Sequence, residues 1–376
     1  MSAQLLAGGT ATAQNQQRPQ RLTLSQQEAL RAKLNETTLI LATSHPSASY
    51  FAMAHDITAV LGKSDDVRVL PITSDGGIEN LRDLLFLRGV DMAIVPANAL
   101  AHAKATESLG AGLPQRIAFV TKLYSEEIHL LVGRQIGALA DLRGKKVAVP
   151  LEDGMAQFTA GDLFPRIGVE IEPVRLSVIE AIEQVRSGEL AAALLIGGKP
   201  SPFLSGIPKD GSIRLLGLPF TPALEEGYGP AAFRAEDYPA LIPASVVIDT
   251  VAVSAVLMAN IARGSEESSL RIAKFVPSFF NAMSERSLLD RHVKWREVNL
   301  AATLPGWSRF AAAEEWLRKA QQQQALFLQK SFEEFLRATR PPGSPNLTSV
   351  QQKKLFDEFV SWTRKSVSET DTLARR

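Results

Sequence analysis

The chain has 376 residues, enough for two or three domains of about 100–200 residues with sizeable cores. Hydrophobic residues make up 45% and charged residues 22%, which excludes wholesale disorder, a collagen-like repeat and a polytopic membrane protein. A net charge of +1 gives too little positive field for nucleic acid as a partner, and the lack of cysteine excludes disulfides, thiolate metal sites and cysteine nucleophiles.

Ser2–Ala13 is small and largely apolar and ends Ala11-Thr12-Ala13, the A-x-A pattern at which a secretory signal is cut, but it has no cationic start. It reads either as a signal trimmed of its beginning or as a loose leader, and residues 1–35 are expected to be partly disordered. From Thr38 onward, β-branched and aliphatic runs alternate with helical patterns. Thr38–Thr43 precedes a helix over Ala48–Leu61, Val67–Ile72 one over Gly77–Arg88, and Met92–Val95 one over Ala97–Thr106. This rhythm predicts βαβ units on a parallel sheet.

Ile117–Tyr124 and Ile128–Val132 read as two strands, and Asp141–Lys145 as a turn into Lys146–Val149. A second series follows: helix Gly154–Phe164, strand Glu172–Leu176, helix Ser177–Ser187 closed by Gly188, and strand Ala191–Ile196 ending in Gly197-Gly198. Lys199–Pro243 holds eight of the 21 prolines and is expected to form loops at a domain edge. Ile242–Ala262 is long and apolar, but Pro243 and Asp249 stand in it, and a carboxylate in mid-membrane costs about 3 kcal/mol. A buried strand running into a helix is expected there, with no stable membrane insertion. Glu266–Met283 reads as a helix interrupted at Pro277. Ala311–Thr339 carries Leu317, Ala320, Leu328, Phe332 and Phe335 at helical spacing; Arg340–Asn346 breaks it, and Thr348 with Gln351 fits a capping box for a last helix.

In open α/β sheets, ligands bind beyond the carboxyl ends of strands, at the amino ends of the following helices. Four loops lie there: Ser44–Tyr50, Thr73–Gly77, Pro150–Met155 and Gly197–Ser201. Their small residues and free backbone N–H groups suit a compact anion or zwitterion, although any single loop is equally served by ordinary turn and cap chemistry. Gly198-Lys199 is not a phosphate loop, because Pro200 replaces the Ser/Thr and Ala193 the leading glycine. His45, His55, His102, His129 and His292 have no metal-ligand spacing, so neither metal nor other cofactor is expected, and only His45 is kept as a ligand contact. No catalytic constellation is visible, and Glu126-Glu127 is expected to be solvated.

The segments ITSDGGIENL, RGVDMAIV, KLYSEEIHLLV, DLRGKKVAV, SGELAAALLIGGKPSP and YPALIPASVVIDTVAVSAVLM, in this order, resemble successive blocks of the TAXI family, the solute-binding receptors of TRAP transporters. The resemblance spans about Leu39–Asn260. It implies a two-lobed α/β fold of the type II periplasmic-binding-protein kind, with two crossover strands expected at His129–Val132 and Thr250–Val253. Lobe one would comprise 36–126 and 250–310 and lobe two 127–249, with a helical C-terminal extension, 311–376, acting either as a buttress across lobe one or as a dimer contact.

The resemblance further implies a periplasmic location, a small carboxylate or amino-acid ligand, and the permease subunits of a TRAP transporter as partner. Ligand contacts transfer to Ser44, Ser47, Ser49 and Tyr50, to Gly76 and Gly77, to Glu152, Gly154 and Met155, to Gly198, Lys199 and Pro200, and to Tyr238. The chain departs from the family where Ser47-Ala48-Ser49 replaces a Gly-rich loop, where Glu152-Asp153-Gly154-Met155 replaces a G-S-G-T-like turn, and where Ala191 replaces an aspartate. Two carboxylates beside a helix amino terminus would repel a pure anion, so a zwitterionic or neutral solute such as an amino acid is expected. An enzyme on the same fold and a ligand-sensing subunit are the rival readings.

Overall fold

The computed structural model describes residues 22–46, 48–62, 66–151, 154–262, 266–339 and 347–360. Part of the expected leader is ordered: helix α1 (Leu24–Thr37) starts at a capping box in which the Gln26 N–H donates to the Thr23 hydroxyl and the Thr23 N–H to the Gln26 side chain. No α1 residue is buried, and Lys274 reaches Glu36 at its end.

A first βα series follows: β1 (Thr38–Ala42), α2 (Ser49–Leu61), β2 (Arg68–Ile72), α3 (Ile78–Phe86), β3 (Val90–Pro96), α4 (Ala97–Thr106) and the short α5 (Leu113–Arg116). Helical returns leave β1 parallel to both β2 and β3. All seven residues of β3 are buried, as in a strand covered on both faces. The chain then enters β4 (Ile117–Gly133) and a second series: β5 (Lys145–Pro150), α6 (Gly154–Arg166), β6 (Ile171–Leu176), α7 (Val178–Ser187), β7 (Ala192–Gly197) and α8 (Pro202–Ser205). Strands β8 (Ile213–Leu216), β9 (Gly229–Phe233) and β10 (Ile248–Asn260) precede α9 (Glu266–Ser284) and α10 (Ala311–Thr339), and residues 349–360 form a last helical stretch.

The strands lie in the order β2-β1-β3-β10-β4-β7-β5-β6, with β8 beside β4 and β9 beside β10. Strands β4 and β10 belong to both halves. Ile117–Lys122 pairs with the end of β10, whereas Glu127–Val132 pairs with β7; Ile248–Ala252 pairs with β9. Between these stretches the two strands pair with each other, Glu127 opposite Ala252, Glu126 opposite Val253 and Ser125 opposite Ser254. A register shift follows at Ser254/Val256, and such bulges bend a strand. Two α/β lobes thus share a pair of crossing strands. The apolar core follows suit, with one cluster of lobe one under α2 and α9 and another under α3 and α4, and clusters of lobe two under α6 and under α7.

Three sequence expectations are corrected. The two strands read at Ile117–Tyr124 and Ile128–Val132 are one strand of 17 residues, because, of the polar Ser125-Glu126-Glu127 between them, Glu126 and Glu127 are buried, and all three pair with β10 rather than forming a break. Lys199–Pro243 is not only loop: it supplies α8 and the edge strands β8 and β9. Helix α9 runs unbroken through Pro277. An interior proline costs about 3 kcal/mol, but fully burying each of Phe275, Val276, Phe279 and Phe280 contributes about 1.5–3 kcal/mol, which holds the helix against the core.

The first turns of α10 lie on α9, with Trp316 edge-on to Phe280 at 5.1 Å and its indole N–H on Asn281. Farther along, Phe332 and Phe335 pack against Phe356 and Phe359 of the last helical stretch, which Thr348 and Gln351 cap. Beyond its first turns the tail is therefore a helical hairpin with its own small aromatic core. Among the described residues no helix is long and apolar enough to cross a membrane.

Candidate functional site

A cavity of about 530 Å³ lies between the lobes, within the size range of small-molecule sites. The loop from β1 into α2 contributes His45, Pro46, Ala48 and Ser49, and the segment after α9 contributes His292, Val293 and Lys294. Lobe two supplies Pro150 and Met155, the start of α7 at Ser177–Ile179, and the turn from β7 into α8. Glu126 and His129 reach it from the crossing strand β4. A smaller adjoining space of about 410 Å³ shares His45 and Pro46 and is bounded by Thr73–Asp75, Gly154 and Arg175.

Three of the four loops expected to hold a ligand, Ser44–Tyr50, Pro150–Met155 and Gly197–Ser201, therefore meet at the main cavity, and Thr73–Gly77 borders its neighbour. His45, Ser49, Met155, Gly198, Lys199 and Pro200 line the main space, and Gly154 the smaller one. Ser44 is buried behind them. Ser47 and Glu152 lie outside the described residues. Tyr50 and Tyr238 line neither space but support the walls. The Tyr50 hydroxyl rests on Met155 Sδ at 3.3 Å, and Tyr238 accepts the Ser201 N–H at 2.8 Å while lying 2.6 Å from His129 Nε2.

Gly76 and Gly77, at φ of 78° and 57°, bring their loop against the other lobe. A Cβ on Gly77 would stand 3.3 Å from Met155 Cα, and one on Gly154 only 2.3 Å from the Asp75 carbonyl oxygen. Beside this contact, Asn98 of α4 donates to Thr159 Oγ1 of α6 at 2.9 Å and to the Tyr228 hydroxyl at 3.2 Å; Tyr228 in turn donates to Asp162 at 2.7 Å. The lobes are thus closed upon each other along this side.

The expectation that Glu126-Glu127 is solvated is overturned: the two residues are 1% and 4% exposed. Neighbouring strand residues do diverge, but β4 is covered on both faces. The Ser49 hydroxyl donates to Glu126 Oε1. Lys294 Nζ donates to both oxygens of Glu127 at 3.1 Å and to Glu297 at 2.7 Å. Burial pushes the Glu127 carboxyl up, opposed by the Lys294 charge, and burial also pushes the Tyr124 hydroxyl well up, with the Glu126 charge adding to it. His129, stacked 4.5 Å from Phe233, is held down to about 3 chiefly by burial and is neutral at neutral pH. Lys199 is tied to the Ala232 carbonyl at 2.6 Å and to Asp237 at 3.2 Å. A Cβ on Gly198 would lie 2.7 Å from Lys294 Cε, so glycine at this position lets the lysine pass under the turn.

Sequence reasoning missed Glu126, His129 and His292–Lys294. The carboxylate pair was visible as a polar interruption between apolar runs, but the partner Lys294 lies 167 residues away from Glu127 and carries no local mark. Among the described residues no group of three or more His, Asp or Glu could hold a metal ion.

Solved structures similar to this chain include the periplasmic aliphatic sulphonate binding protein SsuA from Escherichia coli, at 15% identity and a TM-score of 0.39 over 68% of this chain and 78% of that one. A TctC solute binding protein from Polaromonas matches at 10% identity and a TM-score of 0.42, covering 70% of this chain and 89% of that one. The amino acid ABC transporter substrate-binding protein AbpA from Streptococcus pneumoniae, bound to L-arginine, matches at 12% and 0.39, covering 72% and 98%. No curated protein matches the sequence. The profile of the NMT1-like family matches residues 41–278, and the chain belongs to that family.

Proposed function

We propose that the chain is an extracytoplasmic solute-binding receptor of the TAXI kind, which captures a small organic acid or amino acid between its lobes and delivers it to a TRAP-type membrane permease without chemical change. One observation carries this reading: the cavity has walls from loops of both lobes and a floor from β4, one of the two strands that join them. A solute lodged there touches both halves, so it binds the closed form better than the open one and shifts the balance between them. The NMT1-like family match over residues 41–278 supports the assignment, and the ordered sequence blocks support the TAXI subfamily.

The test is a thermal-shift screen of amino acids and small carboxylates followed by calorimetry. A true ligand at a hundred times its dissociation constant stabilises the folded protein by about 2.7 kcal/mol. The expected result is one-to-one binding at micromolar affinity or better, about 8 kcal/mol, with the solute recovered unchanged. Conversion of the solute, or no binding across the screen, overturns the reading.

A further inference from the structure

Helix α6 belongs to lobe two but carries two buried stripes. Ala156, Ala160 and Leu163, at helical spacing, enter a core cluster of lobe two. Met155 and Phe158, a turn apart on another side, pack against the two clusters of lobe one, and helical spacing places Thr159 and Asp162 on that same side. The helix borders the solute cavity at Met155, whereas Phe158, Thr159 and Asp162 line neither that cavity nor the smaller space beside it.

Along this second stripe the polar groups of the two lobes complete one another. Asn98, near the start of α4, and Thr159 are both 0% exposed. The Ala99 N–H donates to Asn98 Oδ1 at 2.9 Å, which turns the Asn98 amide N–H groups toward lobe two, where they reach Thr159 Oγ1 at 2.9 Å and the Tyr228 hydroxyl at 3.2 Å. Gly227, at a φ of 100°, brings its loop so near α4 that a Cβ would stand 2.6 Å from Asn98 Cα. His102, one turn farther along α4, lies edge-on to Phe158 at 5.3 Å, with its Nδ1 3.7 Å from Asp162 Oδ1. The halves are joined through β4 and β10, and α4 and α6 each lie wholly in one lobe, so rotation about those strands parts these partners.

We propose that α6 is a latch: its contact with α4 holds the lobes closed before a solute enters and so sets the affinity of the cavity from outside it. The apparent dissociation constant rises as the closed fraction falls, although none of Asn98, Phe158 and Thr159 touches the solute. A hydrogen bond made only across the lobes, and a ring buried only on closure, count in full toward that fraction. The latch goes beyond the receptor reading and does not depend on which solute the cavity takes.

The chain has no cysteine, so spin labels at Arg88→Cys in lobe one and Glu189→Cys in lobe two, both exposed, report without background. Double electron–electron resonance on the full chain, with no solute added, then reads the distance between the lobes. A short distance is expected as the major population. Thr159→Val keeps the shape of the side chain but leaves one Asn98 N–H without its acceptor, and it is expected to raise the ratio of long to short distances about tenfold. Should Thr159→Val lose the native circular dichroism spectrum, Phe158→Ala, at the partly buried contact with lobe one, takes its place with the same expected rise. A long distance as the major population in the labelled parent, or a distribution that the variant leaves unchanged, overturns the latch. No solute enters this experiment, so its failure leaves the receptor reading standing, and that reading falls only with its own binding screen.

Discussion

Burying an imidazole penalises its charged form, and His129 is fully buried between Phe233, Tyr238 and the crossing strand. Its imidazole is lowered from 6.5 to about 3, so below pH 6.5 the unfolded chain takes up a proton that the folded chain refuses. Stability contributed by this residue is therefore complete above about pH 6.5 and falls on acidification toward pH 3, by up to about 1.4 kcal/mol per pH unit. Urea midpoints measured from pH 7 to pH 4 should fall more steeply for the wild type than for His129→Gln, and parallel slopes would contradict the assignment. Residues of this kind were poorly legible beforehand. A histidine in an apolar strand and a Glu-Glu pair look alike whether they face water or a partner, because the period of two fixes which side they take and not what covers that side.

Elements were read better, since a βα unit announces itself through local periodicity and caps: β1 to α4 and β5 to β7 stand where the alternation predicts them. Length and pairing were harder to see. The 17-residue β4 is interrupted in sequence only by residues whose partners are remote, β8 is a short run inside a proline-rich segment, and β9 carries Pro230, which its edge position tolerates. The contact between α6 and the loop before α3 gives a prediction at this scale. Gly154→Ala places a methyl 2.3 Å from the Asp75 carbonyl oxygen of the other lobe, a clash that exists only when the lobes are closed. The variant should keep the melting temperature of the unliganded protein within a few degrees, about 1 kcal/mol, yet bind its solute at least about tenfold more weakly. It should also show a larger radius of gyration in solution scattering. Unaltered affinity and scattering would show that this contact does not belong to the closed form.

The whole molecule combines a two-lobed body with a tail that serves it only in part. Trp316 and Leu317 join the core of lobe one, whereas Leu326 and Phe327 are 60% and 68% exposed on a hairpin that packs on itself. The sequence showed the helices and the break between them but not where they dock, because their aromatic stripe fits a buttress, a dimer contact or a hairpin equally. A chain ending after Gln322 retains Trp316 and Leu317 and should bind its solute with affinity within about twofold of the full chain, under 0.5 kcal/mol; a larger loss would place part of the hairpin in the binding machinery.

The central claim is that one small molecule is held unchanged between the two lobes. Native mass spectrometry of the full chain, incubated with a mixture of small metabolites and then desalted, tests it most directly. The account predicts a single adduct, one molecule per chain, that is released at the mass at which it was supplied and is lost in Gly154→Ala. A bare polypeptide mass throughout, or release of a chemically altered molecule, would contradict it.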